Sequence, residues 1–162
     1  MDDKTIADLI SCPKVITEPP RKNMLLQNRH FRNEMKLRSQ DGNEVFTLFL
    51  RQNEVLPEDF SIGLIFHGPK GTVPLLRCNG PHGEFTDNYL AGTTHFGYHI
   101  HRTSETGVKP ELTDRYGTFQ DAVAYMVKTC SVQGAEEHFK FLDPSIPNQL
   151  ELWGPENDNS SP

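Results

Sequence analysis

Three of the seven histidines in this 162-residue chain fall within one short segment, at His95, His99 and His101. If the segment is a β-strand, successive side chains point to opposite faces of a sheet. The three histidines then share one face, and the imidazoles of His99 and His101 stand about 7 Å apart along the strand. The side chains between them are apolar and point toward a predicted core: Phe96, Tyr98 and Ile100. The pattern therefore predicts two imidazoles side by side on a polar sheet face.

Two neighbouring imidazoles can carry out acid–base chemistry on a phosphodiester without a metal. Histidine gains and loses its proton near neutral pH, so one ring can serve as the base and the other as the acid. Cleavage of RNA through its own 2′-hydroxyl also needs a cation at the phosphate, and a guanidinium binds phosphate with two hydrogen bonds. We expect RNA or a nucleotide as the substrate and no cofactor. The candidate catalytic residues are His99, His101 and His82, and the candidate substrate-binding residues are Arg77, Arg102 and Tyr89.

For three of these candidates, the position in the sequence adds an argument. Arg102 alternates to the opposite face of the histidine strand, which counts against it as a phosphate ligand. His82 and Tyr89 belong to the segment from Asn79 to Thr94, which is rich in glycine and polar residues and reads as a loop. A sixteen-residue loop in a compact domain is long enough to suggest a functional role. The sequence thus predicts a site between this loop and the histidine strand.

A metal site is an alternative use of the same histidines. His-x-His on a strand, with a third histidine from His67 or His82, makes a three-nitrogen site with an open position. His99 and His101, followed by Glu105, also resemble the first cupin motif, in which a glutamate follows His-x-His by four residues. The resemblance covers only that segment, because the glycines are out of register and no second cupin motif follows. It implies a cupin-like metal-binding protein, and we favour the metal-free site over it.

The charge of the chain is uneven along its length. The net charge is −6, which argues against a non-specific nucleic-acid binder. Residues 21–51, however, hold seven basic residues against three acidic ones, whereas residues 52–162 hold seven against fifteen. One part of the surface can therefore meet phosphates. The rival interpretation is a non-enzymatic protein-binding or inhibitor module, which recognises a protein partner by electrostatic complementarity.

The order of sequence patterns predicts one α+β domain over residues 1–154 and a disordered tail over 155–162. A short helix over 3–11 is followed by hairpin-spaced strands, with Asp41-Gly42 as one turn. We expect a mainly antiparallel sheet of about five strands within residues 33–103, and a polar loop from Thr103 to Gly117. The main helix, over 118–131, begins at the N-cap Thr118 and packs an apolar stripe on the sheet.

The sequence also predicts the cellular location of the protein. Its apolar runs are too short to cross a bilayer, and its N-terminus has no secretory signal pattern. The three cysteines lack metal-type spacing and are odd in number, which predicts reduced thiols: Cys12, Cys78 and Cys130. We therefore expect a cytoplasmic protein without a membrane partner.

Several segments together resemble an uncharacterised family of small prokaryotic domains over roughly residues 30–132. They are 49–53, 56–64, 75–80, 99–102 and 113–116, with the sequences FLRQN, LPEDFSIGL, LLRCNG, HIHR and TDRY. The resemblance implies a small bacterial or mobile-element protein in a toxin or defence setting. It implies no catalytic residues, but it draws attention to the same stretch between Arg77 and His101.

Overall fold

The computed structural model describes residues 1–81, 97–143 and 145. These residues form two α-helices, nine strands and two short 3-10 turns. In chain order the elements are α1 (Asp3–Ser11), β1 (Lys14–Glu18), β2 (Leu25–Gln27), β3 (His30–Ser39), β4 (Val45–Asn53), β5 (Phe60–Gly68), β6 (Gly71–Asn79), β7 (His99–Ser104), β8 (Gly107–Leu112), α2 (Phe119–Thr129) and β9 (Val132–Gln133), with the 3-10 turns at Ala135–Glu137 and Lys140–Leu142.

All nine strands belong to one sheet. Its order is β8-β7-β6-β5-β4-β3-β1-β9, and β2 pairs with β3 beside this path. Every pairing is antiparallel except that of β1 with β9. The strands from β3 to β8 follow one another as hairpins, so each lies beside its neighbour in sequence. A turn at Gly42, where φ is +83°, makes the first of these hairpins, as the Asp41-Gly42 signal predicts.

One face of the sheet forms the core. Alternate residues of the central strands are fully buried there, as the two-residue period of a half-buried strand requires. The α-helices cover this face through their own apolar stripes, which join the same cluster. Its members include Met35, Leu37, Phe46, Leu48, Leu50, Ile62 and Leu64 from the sheet, Ile6 and Ile10 from α1, and Phe119, Ala122, Val123 and Met126 from α2.

Lys14 joins the ends of the two helices to the core. Its side chain is 0 % exposed, and its Nζ donates to the carbonyls of Ile10, Cys12 and Cys130 at 2.8, 2.8 and 3.0 Å. The ammonium also lies 4.7 Å from the ring centre of Phe46. Carbonyls at helix C-termini lack partners within their helix, so the lysine satisfies groups that burial would otherwise leave unpaired. Burial lowers the pKa of Lys14.

The α+β class agrees with the sequence-based prediction, but the expected number of about five strands is wrong. Nine strands occur in the described residues, and they extend well beyond residues 33–103. The predicted polar loop from Thr103 to Gly117 contains β8. Pro110 lies in the middle of β8, and a proline in a sequence argues against a strand. It is tolerated here because β8 is an edge strand of the sheet. The others, β1, β2 and β9, have five, three and two residues, too few for a clear period.

The structure also bears on the expectations of reduced cysteines and of no membrane-spanning segment. Cys12, Cys78 and Cys130 are all free thiols. Burial raises the pKa of the Cys78 and Cys130 thiols to about 12, so both are inert near neutral pH. Neither α-helix of the described residues has the length and apolarity needed to cross a membrane. The predicted tail over 155–162 and the domain limit at residue 154 lie outside the described residues.

Candidate functional site

The candidate site lies on the sheet face opposite the α-helices, which we call the outer face. Cross-strand register defines which residues share it. One row runs from β3 to β7 through directly opposed residues: Arg32, Arg51, Ser61, Asn79 and His99. The neighbouring row runs in the same direction: Glu34, Phe49, Gly63, Arg77 and His101. Neighbouring strands are about 4.8 Å apart, so each row places polar side chains within reach of one another.

His99 and His101 lie together on the outer face, as the alternation of β7 predicts. Their ring centres are 5.1 Å apart and the ring planes are tilted by 51°. Ile100 between them is buried on the core face. Each histidine faces a different residue of β6, because His99 is opposed to Asn79 and His101 to Arg77. The hairpin register thus brings an arginine from β6 to the histidine pair of β7.

Arg77 contacts His101 directly. The Nη2 of Arg77 is 2.8 Å from Nδ1 of His101. A guanidinium has only donors, so Nδ1 of His101 must accept this hydrogen bond and carries no proton. In this state His101 is a neutral imidazole with its proton on Nε2. The contact therefore fixes the tautomer of His101 and holds a cation beside the ring.

His99 has the opposite tautomer. Its Nδ1 is 3.1 Å from the carbonyl oxygen of Gly97. A carbonyl can only accept, so Nδ1 of His99 donates, and in the neutral ring Nε2 is the basic nitrogen. The two imidazoles are thus complementary, because one has its basic nitrogen at Nε2 and the other its proton there. His99 is only 1 % exposed.

Buried groups behind His99 hold β6 and β7 in position. The hydroxyl of Tyr116 lies on the core side, 3.0 Å from the backbone carbonyl oxygen of Asn79 and 2.8 Å from that of His99. These two residues are register partners, so a single hydroxyl bridges the two strands at the site. On the outer face, Ser61 Oγ donates to Asn79 Oδ1 at 2.9 Å. Asn79 Nδ2 is buried and makes no hydrogen bond in the described part of the chain.

A pocket of about 260 Å³ opens beside His101. We call it the His101 pocket. It combines the two polar groups Arg77 and His101 with a mainly apolar wall, and its lining consists of Phe49, Ile65, Pro74, Leu76, Arg77, His101, Thr103 and Val108. A few convergent polar groups in an apolar concavity are typical of a small-ligand site. The chemistry available there is a cation, an N–H donor and flat apolar surface.

The structure separates some predicted residues from this site. Arg102 is exposed and lies on the opposite face of β7, where its register partner is Leu76. His67 lies on β5, four residues along the strand from Gly63, which is the register partner of Arg77. Four residues span about 13 Å, so His67 cannot share a metal ion with the histidine pair.

The remaining candidates fall where nothing is described. His82 and Tyr89, together with His95, lie outside the described residues. Within the described part of the chain, no three His, Cys, Asp or Glu side chains come close enough to hold a metal ion.

The sequence-based reasoning missed three groups on the outer face. Asn79 and Ser61 continue the row from His99, and Phe49 lies against Gly63 in the row that leads to His101. A Cβ at position 63 would come within 2.3 Å of the Phe49 ring, so Gly63 makes room for it. Arg51 was counted only as part of a basic stretch. Alternation within each strand identifies its outward residues, but only the register between strands shows which of them meet.

Comparisons with known proteins give no further assignment. The resemblance to small prokaryotic domains stays a prediction. No family model, curated protein or solved structure matches this chain.

Proposed function

We propose that the protein cleaves a phosphodiester bond of RNA without a metal, through His99, His101 and Arg77. The observation that carries the proposal is the contact of Arg77 with His101, with the His99 ring 5.1 Å away on the same sheet face. A cation and two imidazoles are the groups that transfer through a 2′-hydroxyl requires. The resemblance to small prokaryotic domains supports a bacterial toxin or defence setting.

His99 is the general base in this proposal. Its Nδ1–H bond to Gly97 keeps Nε2 basic, as a base requires. Nε2 removes the proton from the 2′-hydroxyl as the 2′-oxygen attacks the adjacent phosphorus. Because His99 is buried, the substrate reaches Nε2 only after a local movement of the neighbouring atoms.

Arg77 and His101 act on the phosphate and the leaving group. A guanidinium binds a phosphate more strongly than a neutral imidazole, so Arg77 shifts from His101 onto the phosphate oxygens. Nδ1 of His101 is then released and takes up a proton from solvent. The resulting imidazolium donates a proton from Nε2 to the 5′-oxygen. The P–O2′ bond forms, the P–O5′ bond breaks, and the products are a 2′,3′-cyclic phosphate and a 5′-hydroxyl.

Single histidine variants test this assignment. His99→Ala and His101→Ala should each lower the rate of RNA cleavage by about 10²–10⁴, the usual worth of acid–base catalysis. His138→Ala is the matched control, since His138 is exposed at a 3-10 turn and should leave the rate unchanged. The assay uses mixed RNA with a chelator present, and urea unfolding verifies that each variant folds. Equal rates for all three variants and the unaltered chain would contradict the assignment.

A non-enzymatic protein-binding module is the second candidate. It is favoured by the basic residues of β3, since Arg32, Lys36 and Arg38 alternate onto the outer face together. An acidic protein surface would complement them. In that case Arg38→Glu should abolish complex formation, whereas His101→Ala should leave it unchanged. The RNA assay and this pair of variants therefore separate the enzyme from the binding module.

A further inference from the structure

A second pocket on the outer face is surrounded by arginines. It has a volume of about 280 Å³ and lies where β2, β3 and β4 meet. We call it the arginine pocket. Three guanidinium-bearing residues line it, namely Arg21, Arg32 and Arg51. The rest of its wall consists of Leu25, Gln27, Asn33, Glu34, Phe49 and Leu50. The pocket is separate from the His101 pocket, but Phe49 lines both.

The lining of the arginine pocket holds three arginines and one carboxylate, that of Glu34, which pairs with Lys36. Arg32 and Arg51 are direct register partners on β3 and β4, and like charges placed opposite each other destabilise a sheet. The ion pairs of the described residues are Lys4 with Asp8 and Lys36 with Glu34. None of the three arginines therefore has a carboxylate partner in that part of the chain. An anion in the pocket would remove this repulsion.

The pocket is also a built feature, with buried polar atoms. Asn33 holds the chain at Arg21 through two hydrogen bonds, since its Oδ1 accepts from the backbone N–H of Arg21 and its Nδ2 donates to the backbone carbonyl, both at 2.9 Å. The Nε atom of Arg51 is buried and makes no hydrogen bond within the described residues. An unsatisfied buried donor on a charged group is costly, and an oxyanion would satisfy it.

Phe49 connects this pocket to the proposed catalytic residues. Its row on the outer face continues through Gly63 to Arg77 and His101. The Phe49 ring extends from β4 over Gly63 on β5, in the direction of Arg77 on β6. Arg51 and Arg77 lie on β4 and β6, so two strand spacings, about 10 Å, separate them across the sheet. An aromatic ring between two cationic positions is the arrangement that binds single-stranded nucleic acid, by stacking a base between phosphate contacts.

We infer that the arginine pocket binds a second phosphate of a single-stranded RNA whose scissile phosphate lies at Arg77 and His101, with a base against Phe49. The inference rests on the proposed function for the position of the scissile phosphate. It makes the substrate an oligonucleotide and not a mononucleotide. The arginines contact the phosphates of the backbone, which carry no sequence information.

Binding of a short fluorescent RNA to the inactive His101→Ala chain tests the inference. Arg51→Gln in this background should raise Kd about ten- to hundredfold, the worth of a hydrogen bond to a charged group. The slope of log Kd against log salt should fall by about 0.7, the value for one phosphate of a single strand. Arg51→Lys should lose less affinity, since it keeps the charge. Lys109→Gln is the control, because Lys109 lies on the opposite face of β8 and should bind RNA as before.

The outcomes separate this inference from the proposed function. If Arg51→Gln binds RNA within twofold of its parent with an unchanged salt slope, the arginine pocket is not a phosphate site, whatever the cleavage rate. A change in Kd for an acidic peptide but not for RNA would equally overturn the inference. If the unaltered chain binds RNA through Arg51 but cleaves none, the arginine pocket is a phosphate site and the proposed catalysis is wrong.

Discussion

At the scale of single residues, one hydroxyl positions the proposed catalytic strand. Tyr116 packs against Phe60 and Tyr98, with ring centres 6.0 and 5.7 Å away, and its hydroxyl bridges the carbonyls of Asn79 and His99. Burial raises the pKa of Tyr116 well above its ordinary value, so the hydroxyl keeps its proton as a donor. The tyrosine therefore acts through the geometry of the two strands.

Tyr116→Phe should keep the aromatic packing and lose only the bridge. We expect the free energy of unfolding to fall by about 1 kcal/mol, the usual net value of a buried hydrogen bond. If the bridge positions His99, kcat should also fall while KM changes little. Tyr125→Phe is the matched control, since the hydroxyl of Tyr125 makes no hydrogen bond in the described part of the chain. Equal unfolding curves for the two variants would show that the bridge contributes nothing.

At the same scale, alternation along β7 was enough to place His99 and His101 on one face. It was not enough to find the partners of these histidines. Arg77 was predicted as a phosphate ligand, but its contact with His101 depends on a cross-strand register that the sequence does not encode locally. Asn79 and Ser61 gave no signal at all, because short polar residues are common at strand ends.

At the scale of elements, the chain leaves β6 through a glycine under tight constraint. Gly80 donates its N–H to the carbonyl of Phe60, and a Cβ there would lie 1.8 Å from the carbonyl oxygen of Glu58. The obstructing atom belongs to the backbone before β5, which cannot move aside like a side chain. Only glycine therefore lets β6 end against β5 at this point.

Gly80→Ala should destabilise the fold by about 1–3 kcal/mol or more, the cost of overpacking. Gly117→Ala is the matched control, because no atom lies within 4 Å of its Cβ position and its φ is not positive. That substitution should be neutral or stabilise by up to about 1 kcal/mol through the unfolded chain. Urea unfolding of both variants measures the difference. An unfolding midpoint of Gly80→Ala at or above that of Gly117→Ala would refute the close approach.

The elements also show where sequence patterns suffice for the fold. Strands β3 to β6 each have nine or ten residues and are joined by short turns. Apart from the first residues of β3, all four lie within residues 33–103, where the sheet was expected. Strand β1, which follows α1, pairs with β9, which follows α2 and has only two residues. Such pairings join residues that are far apart in the sequence, so no local hydrophobic pattern predicts them.

At the scale of the whole molecule, folding places the basic stretch on one surface. The chain carries a net charge of −6, yet Arg32, Lys36, Arg38 and Arg51 alternate onto the outer face with Arg77. Net charge alone argues against a nucleic-acid ligand, but the local field of this face favours phosphates. The uneven charge of residues 21–51 was visible in the sequence, whereas its collection on one face with the histidines required the sheet.

The molecule should lose stability at alkaline pH through its buried thiols. The pKa of Cys78 and of Cys130 rises from 9.0 to about 12 on folding, so above pH 9 the unfolded chain releases protons that the folded chain keeps. Stability then falls with pH, by about 1.4 kcal/mol per pH unit for each thiol. Lys14, with its lowered pKa, changes stability in the opposite direction, because the unfolded chain then holds more protons than the folded one.

Comparison with Cys78→Ala isolates one thiol from these opposing effects. Urea unfolding of reduced protein at pH 9 and about pH 10 should show a smaller loss of stability for the variant than for the unaltered chain. Identical losses in the two chains would mean that the Cys78 thiol ionises as readily in the folded state as in the unfolded state.

The most direct test of the proposed chemistry compares one RNA with the same sequence carrying a 2′-deoxy sugar at the cleaved position, in the presence of a chelator. The mechanism uses the 2′-oxygen as its nucleophile, so the RNA should yield a 2′,3′-cyclic phosphate and the deoxy substrate should stay intact. The His101→Ala chain should form this product about 10²–10⁴ times more slowly. No cleavage of the RNA by the unaltered chain, or equal cleavage of both substrates, would contradict the account.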